Sequence, residues 1–99
     1  MPTDTNHELD EEVITKYPKR YKVFILNDDY TSMEFVIDVL MSFFYKTYEE
    51  AENIMLEVHK KGQGLCGIYT HEIAETKVMQ VVKKAQDNNF PLKATMEEE

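Results

Sequence analysis

The pattern of apolar and polar positions along the chain predicts six elements in the order βααβαβ. Residues 21–26 are β-branched and aromatic and end at turn-forming residues, which is typical of a strand. Apolar residues at helical spacing predict two helices next, followed by a second strand over residues 65–69, a third helix and a short alternating strand. The predicted buried positions are Val36, Val39, Leu40, Phe43 and Phe44 in the first helix, Ala51, Ile54, Met55 and Val58 in the second, Ala74, Val78, Val81, Val82 and Ala85 in the third, and Leu92, Ala94 and Met96 in the last strand.

Local signals mark the predicted helix boundaries. The pairs Thr31–Glu34 and Thr47–Glu50 have the spacing of a capping box, so the first helix should begin near Ser32. Gly62 and Gly64 follow the second helix and suit left-handed C-cap geometry. Thr70 can cap the third helix. Each helix therefore has a predicted start that is independent of its apolar pattern.

The order of the elements indicates an α+β fold in a single domain. We expect a small three-stranded antiparallel sheet packed against three helices. Residues 1–15 carry acidic side chains and no Lys or Arg, so we expect residues 1–18 to form a flexible extension. The domain itself is predicted over residues 19–97, and residues 98–99 form an acidic end.

Length, charge and cysteine content narrow the function classes. A chain of 99 residues can bury only a modest core, so we expect no enzyme with its own cofactor cavity, and no metal. The net charge of −8 argues against binding to nucleic acid or to an anionic membrane, which needs clustered Lys and Arg. The single cysteine, Cys66, excludes an internal disulfide, and the N-terminus lacks a signal-peptide pattern. We therefore expect a cytoplasmic protein.

Asn27, Asp28 and Asp29 lie between the first strand and the first helix and allow several interpretations. They can form a turn without further function, since all three are turn formers. A calcium loop requires a glycine and a ligand spacing that are absent here, and adjacent Asp side chains in a turn usually diverge too far for acid–base catalysis. A receptor for a cation would need acceptors from a second element. His59 could supply one, because it shares a helix face with Met55.

Three segments together resemble the ClpS family, the adaptors of ClpA-type AAA+ unfoldases in the bacterial N-degron pathway. These are "YKVFILNDDYTSMEFVIDVL", "MLEVHKKGQGLCGIYTHEIAETKV" and "FPLKATME". The resemblance extends from about Tyr21 to Glu97 and so covers nearly the whole predicted fold. Many members carry Pro where this chain has Ser32. Ser costs some rigidity but keeps the Thr31–Glu34 capping box, so we expect the pocket to be retained.

The resemblance implies a receptor for the first residue of a protein that is to be degraded. The free α-ammonium has three N–H donors and no acceptor, so it needs about three acceptors. The resemblance assigns these to Asn27, to Asp28 or Asp29, and to His59. It implies that the first side chain enters an apolar pocket and that Met33 excludes β-branched side chains, so that the ligands are N-terminal Leu, Phe, Tyr and Trp. The implied pocket residues are Thr31, Met33, Val36, Met55, Val58 and Leu92.

The resemblance also implies a partner. The family docks on the N-terminal domain of a ClpA-type unfoldase, which delivers substrates to the ClpP protease, and it implies Glu72 and Lys77 as contacts. We expect a monomer without cofactor. Two alternatives from other classes remain: a regulatory subunit that modulates the unfoldase without recognising N-terminal residues, and a small thiol enzyme using Cys66, although a mid-strand cysteine is usually inert.

Overall fold

The computed structural model describes residues 18–99, so the predicted extension lies outside the described residues except for Pro18. The elements are β1 Arg20–Leu26, α1 Met33–Phe44, α2 Tyr48–Lys61, β2 Gln63–Thr70, α3 His71–Asp87 and β3 Ala94–Glu98. This confirms the predicted order βααβαβ and the α+β class, with a three-stranded antiparallel sheet and three helices. Within residues 18–99, no helix combines the length and the apolar character needed to cross a bilayer.

β1 is the central strand of the sheet and pairs antiparallel with β2 on one side and β3 on the other. The last hydrogen bonds of β1 hold the start of the following turn on both sides. The Leu26 amide donates to the carbonyl of Lys93 at 3.0 Å, and the Asn27 amide donates to the carbonyl of Gly62 at 2.9 Å. The backbone of Asn27 is therefore fixed beside the end of α2.

The core lies between the helices and one face of the sheet. Alternation along β1 places Val23 and Ile25 on this face, where both are fully buried, whereas Phe24 on the other face is half-buried. Each large apolar side chain buried there contributes about 1.5–3 kcal/mol before entropy costs. The buried residues are Val23, Ile25, Phe35, Val36, Val39, Leu40, Phe44, Ala51, Val58, Cys66, Ala74, Val81, Ala85, Leu92 and Ala94.

The start of α1 differs from the prediction by one residue. Ser32, not Thr31, is the N-cap, and its hydroxyl accepts from the Phe35 amide at 3.1 Å. The Thr31 hydroxyl instead donates to the carboxylate of Asp28 at 2.7 Å, so the predicted Thr31–Glu34 capping box was wrong. The physical reason is that Asp28 accepts from both the amide and the hydroxyl of Thr31 and so holds Thr31 in the turn, which leaves the next hydroxyl, that of Ser32, to accept from the helix N-terminus.

The other predicted caps have mixed outcomes. The Thr47–Glu50 capping box is confirmed, with both reciprocal hydrogen bonds present. Gly62 ends α2 with a φ of 90°, as predicted for a left-handed C-cap. Gly64, however, lies inside β2, so its predicted capping role was wrong. Thr70 occupies the N-cap position of α3, but its side chain makes no capping hydrogen bond.

The C-terminal strand is shifted relative to its predicted pattern. β3 begins at Ala94, so Leu92 precedes the strand and is buried there. β3 continues through Glu98, and the Glu99 amide still donates to the carbonyl of Arg20 at 2.8 Å. The ordered pairing with β1 therefore continues past residue 97, where the sequence predicted the domain to end.

Candidate functional site

The turn between β1 and α1 is organised by the carboxylate of Asp28. Its Oδ1 accepts from the amides of Tyr30 at 2.8 Å and Thr31 at 2.7 Å, and its Oδ2 accepts from the Thr31 hydroxyl at 2.7 Å. This is the local side-chain to backbone bonding for which Asp is favoured in turns. The turn interpretation of this stretch is therefore correct for Asp28.

The turn leaves Asp28 ionised and able to bind one more donor. Partial burial acts to raise the pKa of this carboxyl, but the hydrogen bonds from Thr31 and Tyr30 outweigh it, so the pKa lies below its ordinary value. A carboxylate offers about four acceptor positions. Three of them are used within the turn, so Oδ2 can accept one further hydrogen bond from a ligand or from water.

A cavity of about 230 Å³ opens directly beside this turn, between the N-terminus of α1 and the second half of α2. It contains nearly every residue that the sequence predicted for the site, brought together from four segments of the chain. The lining residues are Leu26, Asn27, Asp28, Thr31, Met33, Val36, Met55, Leu56, Val58, His59 and Leu92. A dry cavity of about 150 Å³ already holds benzene, so this volume is sufficient for one Leu or Phe side chain.

The cavity has an apolar interior and a polar rim. Its walls include Val36, Val58 and Leu92, which are 7%, 5% and 3% exposed. Asn27 and His59 lie at the surface of the same cavity and are exposed. An apolar recess with a few polar groups at its mouth is the general form of a small-ligand site. This arrangement can hold an amphipathic ligand that has an apolar body and a polar head.

Met33 and Met55 contribute flexible walls. Met33 follows the N-cap of α1 and is 67% exposed, whereas Met55 is half-buried on α2. A thioether side chain adapts to flat or branched groups because it has several rotatable bonds and is polarisable. Both residues line the cavity.

Among the residues predicted to bind the ligand, Asp29 is the one that does not line this cavity. It lines a neighbouring groove together with Lys93, which the sequence did not indicate as a site residue. Sequence reasoning also missed Leu26 and Leu56, which line the cavity. A signal for Leu56 was its position next to Met55 in α2, at the edge of the apolar face.

Comparisons with known proteins decide the family. A model of the family described as "ATP-dependent Clp protease adaptor protein ClpS" matches residues 16–95. The chain belongs to the ClpS family. It is 52% identical to the ATP-dependent Clp protease adapter protein ClpS of Wolinella succinogenes, over 97% of this chain and 94% of that protein. It is 62% identical to the protein of the same name from Bdellovibrio bacteriovorus, over 83% of this chain and 72% of that protein.

A solved structure supports the same assignment. The structure of Agrobacterium tumefaciens ClpS2 bound to L-phenylalaninamide has a TM-score of 0.82 to this chain at 37% identity. The similarity covers 84% of this chain and 100% of that chain. The α+β fold derived from the sequence is therefore the ClpS fold, and ClpS proteins are adaptors of the Clp protease by name.

The two residues proposed to contact the unfoldase have different surroundings. Glu72 is exposed in the first turn of α3 and lines a shallow groove with Tyr21, Thr70 and His71. Lys77 is half-buried, and its ammonium donates to the carbonyl of Phe43 at 2.6 Å. No sequence pattern indicates this internal contact of Lys77, which satisfies a carbonyl at the end of α1.

Lys77 also lies against aromatic rings. Its ammonium is 5.0 Å from the ring centroid of Tyr45, 5.9 Å from that of Phe44 and 5.8 Å from that of Tyr69. These distances are within the range of cation–π attraction. Lys77 therefore joins α3 to the C-terminal end of α1, whatever else it contacts.

Cys66 has the surroundings of a core residue. It is 1% exposed, and burial raises the pKa of its thiol to about 12. A nucleophilic cysteine needs a lowered pKa and access to substrate. The structure provides neither at this position, so Cys66 has the environment of a packing residue.

Proposed function

We propose that this protein binds proteins whose first residue is Leu, Phe, Tyr or Trp and delivers them to a ClpA-type AAA+ unfoldase for degradation by ClpP. The observation that carries the proposal is a single cavity in which buried apolar walls adjoin an acceptor-bearing rim. An N-terminal residue has both matching parts, an apolar side chain and a free ammonium on the adjacent carbon.

The ammonium is held by three acceptors at the rim. Asn27 supplies its side-chain oxygen, Asp28 supplies the acceptor position that its turn leaves unused, and His59 supplies a ring nitrogen. Of these two Asp residues, Asp28 lines the cavity and Asp29 lines the neighbouring groove. We therefore assign the direct contact with the ammonium to Asp28 and place Asp29 further from it. Hydrogen bonds to a charged donor contribute about 1.5–3 kcal/mol each.

The first side chain fills the cavity between α1 and α2. Thr31, Val36 and Val58 form its walls, and Met33 closes the rim and excludes side chains that branch at Cβ. Burying a Leu or Phe side chain contributes about 1.5–3 kcal/mol before entropy costs. The relative from Agrobacterium tumefaciens was solved with L-phenylalaninamide, a ligand with a free amine and an aromatic side chain, which supports this arrangement.

Delivery requires a second surface that leaves the cavity open. We propose that the start of α3 docks on the N-terminal domain of the unfoldase, with Glu72 as an exposed polar contact and Lys77 as a second contact that also supports α1. Neither residue lines the ligand cavity, so docking and ligand binding can occur together.

Fluorescence anisotropy with labelled peptides at about pH 7.5 tests the proposal. We expect micromolar binding of a peptide that begins with free Leu or Phe, and no binding of its N-acetylated form or of a peptide that begins with Val. We also expect binding to weaken above about pH 8.5, where the ligand's amine loses its proton.

Variants with matched controls distinguish peptide binding from binding to the unfoldase. His59→Ala should weaken peptide binding at least about tenfold, because it removes one hydrogen bond to the charged ammonium. His71→Ala, the control, should leave peptide binding unchanged. Asp28→Ala combined with Asp29→Ala should abolish peptide binding while the protein still binds the unfoldase domain. If no peptide binds the wild-type protein, the stretch Asn27–Asp29 is only a turn, and the regulatory-subunit alternative becomes the better hypothesis.

A further inference from the structure

An oxidisable sulfur lies at the mouth of the ligand cavity. Of the methionines in residues 18–99, Met33 and Met79 are the most exposed, at 67% and 65%, whereas Met55 and Met96 are half-buried. Met33 lines the cavity, and Met79, on α3, does not. A dissolved oxidant therefore has similar access to both exposed sulfurs, but only one of them belongs to the cavity.

The position of Met33 in α1 explains this exposure. Met33 is the first residue of α1 and directly follows the N-cap Ser32. Side chains on an α-helix lean towards its N-terminus, so the thioether of Met33 reaches back towards the turn that contains Asn27, at the rim. Val36, one turn further along the same helix face, is a buried wall of the cavity. Met33 is therefore the outer member of this pair and meets both solvent and the entering ligand.

Oxidation changes the property of Met33 on which binding depends. Hydrogen peroxide transfers one oxygen atom to the sulfur, so that the O–O bond breaks, an S–O bond forms and water leaves. The sulfur loses two electrons and the peroxide gains two. The resulting sulfoxide is polar and accepts hydrogen bonds from water. A Leu or Phe side chain has no donor to replace that water, so packing it against the sulfoxide costs free energy.

The cysteine of this chain does not compete for the oxidant. Cys66 is 1% exposed, and burial raises the pKa of its thiol to about 12. Oxidation of cysteine proceeds through the thiolate and requires access to the sulfur. Mild peroxide therefore acts on the exposed methionines before it reaches the thiol.

We propose that Met33 is a methionine oxidation site, and that its conversion to the sulfoxide lowers the affinity for N-terminal Leu and Phe. The inference rests on the proposed function and adds control of the same site by peroxide. The change is reversible, because methionine sulfoxide reductases return the sulfoxide to the thioether. Two thiol groups supply the electrons and become a disulfide, and the oxygen leaves as water.

Anisotropy before and after peroxide treatment tests the inference. The wild-type protein is oxidised until peptide mapping by mass spectrometry finds the sulfoxide at Met33 and Met79, and catalase then removes the peroxide. The affinity for a methionine-free peptide that begins with free Leu should fall at least about fivefold, the effect of one polar group that loses its water. Reductases for both sulfoxide epimers, supplied with dithiothreitol, should restore the affinity.

Two variants identify the sulfur that is responsible. Met33→Leu keeps an apolar side chain of similar size without sulfur. Its affinity is compared only with and without peroxide, so a change in its starting affinity cancels, and this ratio should stay near one. Met79→Leu removes the equally exposed sulfur outside the cavity and should lose affinity on oxidation as the wild-type protein does.

A bound ligand provides an independent measurement on the wild-type protein. A saturating Leu peptide should slow the oxidation of Met33 and leave the rate at Met79 unchanged, because the bound side chain covers only the first sulfur. Equal rates at Met33 with and without the peptide would overturn the inference.

Two further outcomes would also overturn it and leave the proposed function intact. One is an unchanged affinity of wild-type protein that is fully oxidised at Met33. The other is an equal loss of affinity in oxidised Met33→Leu, which would place the responsible sulfur elsewhere. If the untreated protein binds no Leu peptide, the proposed function fails and this inference fails with it.

Discussion

At the scale of single residues, Asp28 serves both the fold and the candidate site. Three donors from Tyr30 and Thr31 hold its carboxylate, and the same residue lines the cavity. The same bonds lower the pKa of the carboxyl against the opposing effect of burial. The turn and the ammonium receptor are therefore compatible uses of one side chain.

This lowered pKa predicts how acid affects stability. A folded-state pKa below the unfolded value of 3.8 stabilises the protein at higher pH, and this contribution is lost as the pH falls through the folded pKa. Asp28→Asn keeps an acceptor for the two amides but cannot titrate. We expect Asp28→Asn to change the free energy of unfolding at pH 7 by less than about 1 kcal/mol, and Asp28→Ala to lower it by about 1–2 kcal/mol.

Urea denaturation between about pH 2.5 and 7 measures how the free energy of unfolding of the wild-type and Asp28→Asn proteins depends on pH. The wild-type protein should lose more stability than Asp28→Asn as the pH falls below 3.8, because only the wild-type protein has this carboxyl to protonate. Parallel curves for the two proteins would mean that the turn does not lower the pKa of Asp28. Thr31→Val, which removes the donor to Oδ2, should reduce the same pH dependence.

At the scale of elements, the junction between α2 and β2 packs against Val58, which lines the cavity. Two glycines in this junction have different structural roles. Gly62 adopts a φ of 90° to end α2, whereas Gly64 allows β2 to approach α2 closely. A Cβ built on Gly64 would lie 2.7 Å from Cγ2 of Val58 and 3.0 Å from the carbonyl oxygen of Ile54. Because Val58 lines the cavity, this contact connects the helix–strand packing to ligand binding.

Alanine substitutions at the two glycines should therefore have different effects. Gly64→Ala forces α2 away from β2, so we expect a loss of about 1–3 kcal/mol of stability together with weaker peptide binding. Gly62→Ala has no atom within 4 Å of its new Cβ, and its cost is the left-handed backbone alone, about 1–2 kcal/mol. Its peptide affinity should stay close to that of the wild-type protein.

Thermal unfolding and peptide anisotropy on the same samples measure the two effects separately. An equal loss of affinity in both glycine variants would show that stability, rather than the position of Val58, governs binding. Unchanged affinity in a folded Gly64→Ala protein would contradict the connection between β2 packing and the cavity.

At the scale of the whole molecule, one continuous core joins the sheet to all three helices, and Cys66 is buried within it. Burial raises the pKa of this thiol to about 12, so the folded state favours the neutral form and loses stability relative to the unfolded state between about pH 9 and 12. At neutral pH the thiol is neither ionised nor accessible, so its modification requires the core to open.

Alkylation of Cys66 should therefore report global unfolding. We expect iodoacetamide to react at least about a thousandfold more slowly with the native protein at pH 8 than with the protein in urea, following the small population of the open form. Mass spectrometry of the alkylated fraction over time gives both rates. Rapid reaction of the native protein would contradict the buried position and would revive the thiol-enzyme alternative.

The sequence alone determined the elements and the family of this protein. The order βααβαβ followed from apolar periodicity, and the Thr47–Glu50 capping box and the Gly62 C-cap followed from local chemistry. These features depend on interactions within a few residues, which the order of side chains fixes directly. The set of residues around the cavity came instead from resemblance to ClpS, because its members are distant in the chain.

Only the tertiary structure decided how those residues meet. It selected Asp28 over Asp29 for the cavity, moved the N-cap of α1 to Ser32, and placed Lys93 beside Asp29 in the neighbouring groove. Each outcome depends on distances that are set only when the strands and helices pack against one another. The spacing of residues in the sequence does not give these distances. The same packing placed Gly64, which the sequence predicted as a cap, at the close contact between α2 and β2.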